Sequence, residues 1–264
     1  MAIPIVICAI FRNEAPYLRE WIEFHRIVGV EHFYLYQNLS EDDWDSVLRP
    51  YVNDGVVEIK DWPIMPPSQR PAYQDFINSH RGKSMWAAFI DIDEFLFSPT
   101  FPTLPEALQQ APGQWGAVGV NWMCFGASGQ EQRMLGPVIE RFTLRPADEF
   151  GANVHIKSIV RMDCVDSTAG DAHHFNVYGG TFSECGERIP GPFTARPSHR
   201  WLRINHYLTK SRQEYLHRIS YGRVDIAAWR SPAEFDGYQA ADVDDRAIWR
   251  FLPSLKSRLD NAAP

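Results

Sequence analysis

Apolar runs of strand length alternate with segments of helical period through the first half of the chain, and this order restricts the fold more than any single motif does. Residues 3–10, IPIVICAI, are a continuous apolar run. The stretch that follows sets Leu18, Trp21, Ile22 and Val28 at helical spacing, with Asn13 placed to cap it. EHFYLYQN at 31–38 and VVEIKDW at 56–62 read as two further strands, with a turn at YVNDG between them. A helix is predicted over 69–80 and a buried strand in SMWAAFI at 84–90. Such alternation predicts an α/β fold: a single Rossmann-like domain with a mostly parallel central sheet flanked by helices, in which ligands collect beyond the carboxyl ends of the strands. Arg12, Asn38, Asp61 and Asp91 fall at such ends. The second half is less regular. LPEALQQ reads as a short helix, WGAVGVNW and HIKSIVRM as strands, and SRQEYLHRISYG as a helix capped by Ser211. Without a linker or repeat, one domain over 1–264 is expected.

Composition narrows the function classes. The chain has 264 residues, 45% of them hydrophobic, enough for one large core. A formal net charge of -7 argues against a general nucleic-acid surface, although the basic stretch from Arg196 to Arg212 suits a local anion. Cys8, Cys124, Cys164 and Cys185 form no C-x-x-C pair, which points away from a zinc knuckle or disulfide framework and toward a reducing compartment. The apolar opening stops at Arg12, too short for a membrane helix and without a signal peptide's basic start. A cytoplasmic protein with no transmembrane segment, at most peripheral to a membrane, is therefore expected.

AAFIDIDEFLF, residues 87–97, places three acids directly after an apolar run. Acids at a strand end also occur as a plain solvated turn. As first and third residues of a strand, however, Asp91 and Asp93 would point the same way while Ile92 faces the core. Two carboxylates so close repel unless a cation lies between them, and hard oxygen ligands suit Mg²⁺ or Mn²⁺. Two enzyme classes use this arrangement. In aspartyl-phosphate phosphatases the first Asp of D-x-D is a nucleophile and the motif opens the domain. In nucleotide-sugar transferases it follows a nucleotide-binding half; here it follows about 90 residues of α/β pattern, which fits the second arrangement.

Taken in order, ICAIFRNEAPYLREWIEFHRIVGVEHFYLYQNLSEDD, QRPAYQDFI, WAAFIDIDEFLF, NWMCFGASG, VIERFTLR, IKSIVR and INHYLTKSRQEYL resemble glycosyltransferase family 92 and the related family 2-type bacterial enzymes. The resemblance implies a GT-A fold, a nucleotide-sugar donor (a UDP-sugar), a divalent metal, and transfer with inversion to a glycan or glycoconjugate acceptor. It divides the chain into a nucleotide-sugar-binding half, 1–100, and an acceptor-binding half with C-terminal helices, 101–264.

The same resemblance suggests roles for single residues. Asp91, Asp93 and His206 would hold Mn²⁺ or Mg²⁺, with Asp93 also counted as catalytic and Asp91 as touching the donor. Arg12, Asn13, Glu14, Asn38, Arg70 and Asp75 would line the donor site, although Asn13 and Glu14 equally suit a helix cap, Asn38 a turn, and Arg70 and Asp75 the surface. Glu94 suits a supporting hydrogen bond. Lys210 would hold the departing diphosphate, aided by Arg196, Arg200, Arg203 and Arg212 and by the N–H groups of the helix that begins near Ser211. Inversion needs a base. Glu131 is named from the trio Glu131, Glu140 and Asp171, none of which the sequence ranks. The alternatives to a transferase are a D-x-D phosphatase with Asp91 as nucleophile and a non-catalytic sugar-nucleotide or glycan-binding module.

Overall fold

The computed structural model describes residues 3–261. Its first half runs β1 (Ile3–Phe11), α1 (Ala15–Ile27), β2 (His32–Gln37), α2 (Trp44–Asn53), β3 (Val57–Asp61), α3 (Gln69–His80), β4 (Ser84–Phe89) and β5 (Glu94–Phe97). The second half adds α4 (Leu104–Leu108), β6 (Ala117–Cys124), α5 (Val138–Arg141), β7 (Leu144–Arg145), β8 (Ile156–Arg161), β9 (Val165–Thr168) and β10 (Phe175–Val177). It closes with β11 (Thr181–Ser183), β12 (Arg188–Ile189), β13 (Arg203–His206), α6 (Arg212–Ile219), β14 (Val243–Asp244) and α7 (Leu252–Asn261).

The main sheet has the order β12-β11-β6-β8-β4-β1-β2-β3. Parallel pairing joins β3, β2, β1 and β4, giving the mostly parallel sheet flanked by helices that the alternation predicts. β8 runs antiparallel between β4 and β6, and β12 antiparallel beside β11 at the edge. The chain leaves β1 for β2 on one side and returns to β4 on the other, so the carboxyl ends of β1 and β4 form the topological switch point at which α/β sheets open a crevice. β13 pairs with both β5 and β6 and carries His206 to that same edge.

Two local expectations are corrected. Asn13 does not cap α1: it adopts φ 54, and its side-chain oxygen accepts the Glu41 N–H. The Ala15 N–H at the start of α1 is instead met by Asp42 Oδ2 at 2.7 Å, a partner 27 residues away. The acids are not on a strand either. Residues 90–93 lie between β4 and β5, with the Glu94 N–H bonded back to the Asp91 carbonyl in a turn, so period-two alternation does not apply to them. YVNDG is only partly a turn, since its first three residues finish α2.

The larger core layer packs α1, α2 and α7 on one face of the sheet through Trp21, Phe24, Phe33 and Phe95, while α3 covers the other through Tyr73, Phe76 and Phe89. A buried histidine ties α1 to β5. His25 Nδ1 donates to the Trp21 carbonyl at 2.8 Å and Nε2 accepts the Leu96 N–H at 3.1 Å, which fixes a neutral ring. Burial pulls its pKa from 6.5 down to about 3, against the opposing pull of the Trp21 carbonyl. A lowered folded value means that this contribution to stability is fully present above pH 6.5 and drains away as pH falls toward 3. Glu20 runs the opposite way. Burial lifts it to about 7 despite the N–H groups of Val138 and Ile139, so its contribution is complete below 4.5 and lost as pH rises through 7. Comparison with His25→Gln isolates the histidine: in urea unfolding, the wild-type advantage is expected to narrow by roughly 1.4 kcal/mol per pH unit between about pH 6 and pH 4. A constant difference over that window would show that His25 is not held neutral.

Candidate active site

A cleft opens at the switch point, with about 870 Å³ of open space between the tips of β1 and β4 on one side and β13, α6 and the chain after α6 on the other. Asp91 and Asp93 face it from the β4–β5 turn, and Trp122, His206 and Arg218 face them across it.

The two aspartates are already matched with cations. Asp93 is 1% exposed; its Oδ2 accepts Arg218 Nη1 at 2.6 Å and lies 3.4 Å from His206 Nε2. Burial alone would raise its pKa, but Arg218 and His206 outweigh that and hold it well below the usual carboxylate range. Asp91 turns elsewhere, accepting Lys157 Nζ at 2.7 Å on one oxygen and Gln69 Nε2 at 2.6 Å on the other. Lys157 is 1% exposed and also lies 3.7 Å from Glu94 Oε2. Burial would strip its proton, and Asp91 and Glu94 override that and raise its pKa. Glu94, fully buried, is raised well above the ordinary value by desolvation with Lys157 opposing, and accepts the Asp91 N–H at 2.8 Å. It supports the turn, as expected of the third acid.

The expected metal shell of Asp91, Asp93 and His206 is therefore not assembled as a trio, because Lys157 and Gln69 hold Asp91 aside. No group of three or more His, Cys, Asp or Glu side chains among the described residues stands ready to hold a metal ion. Asp93 with His206 does fit part of such a site: Asp93 Oδ1 and His206 Nδ1 are buried with no partner, and burial lowers the His206 pKa despite Asp93, leaving a neutral imidazole. Both oxygens of Asp91 accept hydrogen bonds from protein groups.

The other expected site residues are scattered. Arg12 and Glu14 line the cleft, as does Asp225, an acid not singled out from the sequence. Glu14 is buried and lifted by desolvation above its ordinary value, with Lys210 and Arg218 opposing. Asn13 serves the β1 loop, its N–H donating to Ser40 Oγ. Asn38 is fully buried and fastens the tip of β3 by donating to the Trp62 and Ile64 carbonyls, outside the cleft lining. Arg70 is exposed on the first turn of α3. Asp75 lies in a separate groove, bound to Lys60 at 2.7 Å and the Tyr36 hydroxyl at 2.6 Å.

Glu131 does not sit where a base would need to be: its side chain is 69% exposed and lies 3.3 Å from Arg212, outside the cleft. Glu140 pairs with Lys256, and Asp171 caps a turn by accepting the His173 and His174 N–H groups. The basic run is not one patch. Arg196 and Arg200 are exposed, Arg203 pairs with Asp245, and Arg212 with Glu131 and Asp236. The first N–H groups of α6 are also spent, on the Gln130 and Glu131 carbonyls and on Ser211, whose capping box with Glu214 is complete. Lys210 lines a neighbouring cavity rather than the acid cleft.

The chain belongs to glycosyltransferase family 92, whose model matches residues 3–184. Similar curated proteins are a family 92 protein of Ricinus communis, 32% identical over 180 residues, and one of Oryza sativa subsp. japonica, 33% identical over 178 residues. Each match takes in 66% of this chain but only 32% and 30% of the relative, so the chain spans about a third of the length of those proteins. Among solved structures, S. aureus TarS 1-349 in complex with UDP-GlcNAc matches 98% of this chain and 73% of that one at 10% identity and a TM-score of 0.46. Mannosyltransferase PcManGT from Pyrobaculum calidifontis, in complex with GDP-Man and Mn²⁺, matches 46% and 36% at 15% identity and a TM-score of 0.36. Among the described residues no helix is long and apolar enough to cross a membrane.

Proposed function

We propose that this chain transfers a sugar from a nucleotide-diphosphate donor, a UDP-sugar, held in the cleft between β1 and β4, to a glycan or glycoconjugate acceptor with inversion. The observation that carries the reading is the buried Asp93, kept ionised between Arg218 and His206 at the switch point of a family 92 chain. In this reading residues 1–100 supply most of the donor half and 101–264 the acceptor half, with His206 and Arg218 reaching across.

Each group has a physical task. Arg12 and Glu14 at the tip of β1 meet the nucleotide, and Gln69 and Lys157 hold Asp91 in one rotamer so that the turn keeps its shape. Arg218 is the mobile cation: its side chain is 23% exposed, and its guanidinium can exchange Asp93 for the donor's phosphate oxygens in a similar forked geometry. A divalent ion, Mn²⁺ in preference to Mg²⁺ because imidazole is a softer ligand than oxygen, would be held by Asp93 and His206 and would offset charge on the leaving diphosphate. Trp122, packed 4.3 Å from the His206 ring, keeps that ring in place and shields the cleft floor from water.

The test is release of nucleoside diphosphate from a panel of sugar nucleotides incubated with the protein, Mn²⁺ and glycan acceptors. Acceptor-dependent release from at least one UDP-sugar is expected. Donor binding without turnover on any acceptor would instead favour a sugar-nucleotide-binding module.

A further inference from the structure

We propose that the cavity beside the donor cleft is a second anion site, in which Lys210 receives a phosphate or carboxylate carried by the acceptor. Tyr17, Arg133, Lys210, Gln213 and His217 line this cavity, and Glu14, Arg218 and Tyr221 form the wall it shares with the cleft. As an anion site it stands on its own geometry; as the acceptor's site it rests on the transferase reading above.

Lys210 carries the inference. It is 4% exposed, and no carboxylate among the described residues lies within ion-pair distance of its ammonium, Glu14 and Asp93 acting on it only from further away. Its Nζ lies 4.2 Å from the centroid of the Tyr17 ring, which supports the charge from one side. A buried ammonium without a counter-charge is costly. The backbone at Lys210 is also left-handed, φ 50, a conformation that non-glycine residues seldom adopt and that recurs at functional sites.

Of the acids around it, Glu214 and Asp93 are committed elsewhere, and Glu14, its strongest counter-charge, stands beyond ion-pair distance. Glu214 accepts both terminal nitrogens of Arg141, at 2.8 and 3.1 Å, together with the Tyr17 hydroxyl and Ser211. Those partners outweigh its burial and hold its pKa down to about 2. Asp93 belongs to Arg218, and Glu14 has no cation nearer than Arg218 at 3.9 Å. Arg133 approaches only the already matched Glu214, at 3.9 Å. With Glu214 matched to Arg141 and Asp93 to Arg218, Lys210 and Arg133 face only Glu14, which leaves the cavity with an excess of positive charge. A neutral sugar would leave it so, whereas an acceptor bearing a phosphate or a carboxylate would complete it with charge-assisted hydrogen bonds.

The experiment is calorimetric titration of inorganic phosphate, with acetate in parallel, into the metal-free protein with and without saturating UDP. Lys210→Met keeps the stem over Tyr17 and adds no backbone strain beyond that already present. Anion binding is expected to persist with UDP bound and to weaken at least about tenfold in Lys210→Met, as befits loss of one charge-assisted contact. The tighter of phosphate and acetate identifies the group. Arg133→Gln, at an exposed position, is expected to weaken the same binding about threefold and serves if Lys210→Met fails to fold. Displacement of the anion by UDP, wild-type affinity in both variants, or absence of binding by either anion would overturn the proposal. Failure of UDP to bind even after Mn²⁺ is added would count against the donor reading alone, because the titration of anion into UDP-free protein does not depend on it.

Discussion

Lys157→Met is expected to lower unfolding stability by about 3–5 kcal/mol, the cost of removing one partner from a buried ionic cluster. The lysine stands on β8, between β4 and β6, and its ammonium serves Asp91 at 2.7 Å and Glu94 at 3.7 Å. Without it, a fully buried Glu94 and a part-exposed Asp91 share one turn with no cation between them. Glu94, already raised, takes up a proton and relieves part of the strain, which places the loss nearer the lower end at neutral pH. Urea unfolding of the two proteins at pH 7 measures it. A change within about 0.5 kcal/mol, the range of ordinary surface substitutions, would mean that the cluster is solvated.

Asp93→Asn is expected to leave the fold in place and to reduce transfer by about a thousandfold or more, the scale seen when a preorganised charge is removed from an active site. The amide keeps the carboxylate's shape, and Arg218, partly exposed, can turn to solvent. The expected loss lies mainly in kcat/KM, because in the proposed reading Asp93 would hold both the divalent ion and Arg218 against the donor. Asp91→Asn, by contrast, is expected to act chiefly on stability, since both oxygens of Asp91 are bound to protein groups.

The frame of the molecule was legible because its signals are local. IPIVICAI is strand β1, as its length and β-branched content favour for a continuous apolar run, and α3 begins and ends at the predicted residues. Ser211 and Glu214 form the capping box that their spacing announces. The acidic cluster is visible in the sequence as D-I-D-E, and His206 lies 3.4 Å from one of its acids, Asp93. What failed depended on partners distant in sequence. A turn between β4 and β5 replaced the strand edge, so Asp91 and Asp93 diverge. The basic run from Arg196 to Arg212 dissolved into separate pairs with Asp245, Asp236 and Glu131, because β13 and the helix after it point those side chains in different directions.

Lys157 and Arg218, the two cations that matter most to the acids, were passed over for opposite reasons. Arg218 resembles a basic residue in the last turn of a helix, where the helix dipole alone would justify it. Lys157 left a better trace: a single lysine inside the apolar strand IKSIVR is expensive to bury unless an acid meets it, and the acids to look for were those of the D-x-D turn. Asp42, the distant partner that satisfies the start of α1, left none.

The most direct test of the donor cleft is calorimetric titration of UDP with Mn²⁺ into the wild-type protein and into Asp93→Asn, each repeated in chelator. Saturable binding to the wild type is expected, weakening at least about tenfold in chelator and to a similar degree in Asp93→Asn, in keeping with the loss of charge-assisted contacts. UDP binding of equal strength in both proteins, with or without Mn²⁺, would contradict it and move the nucleotide away from Asp93.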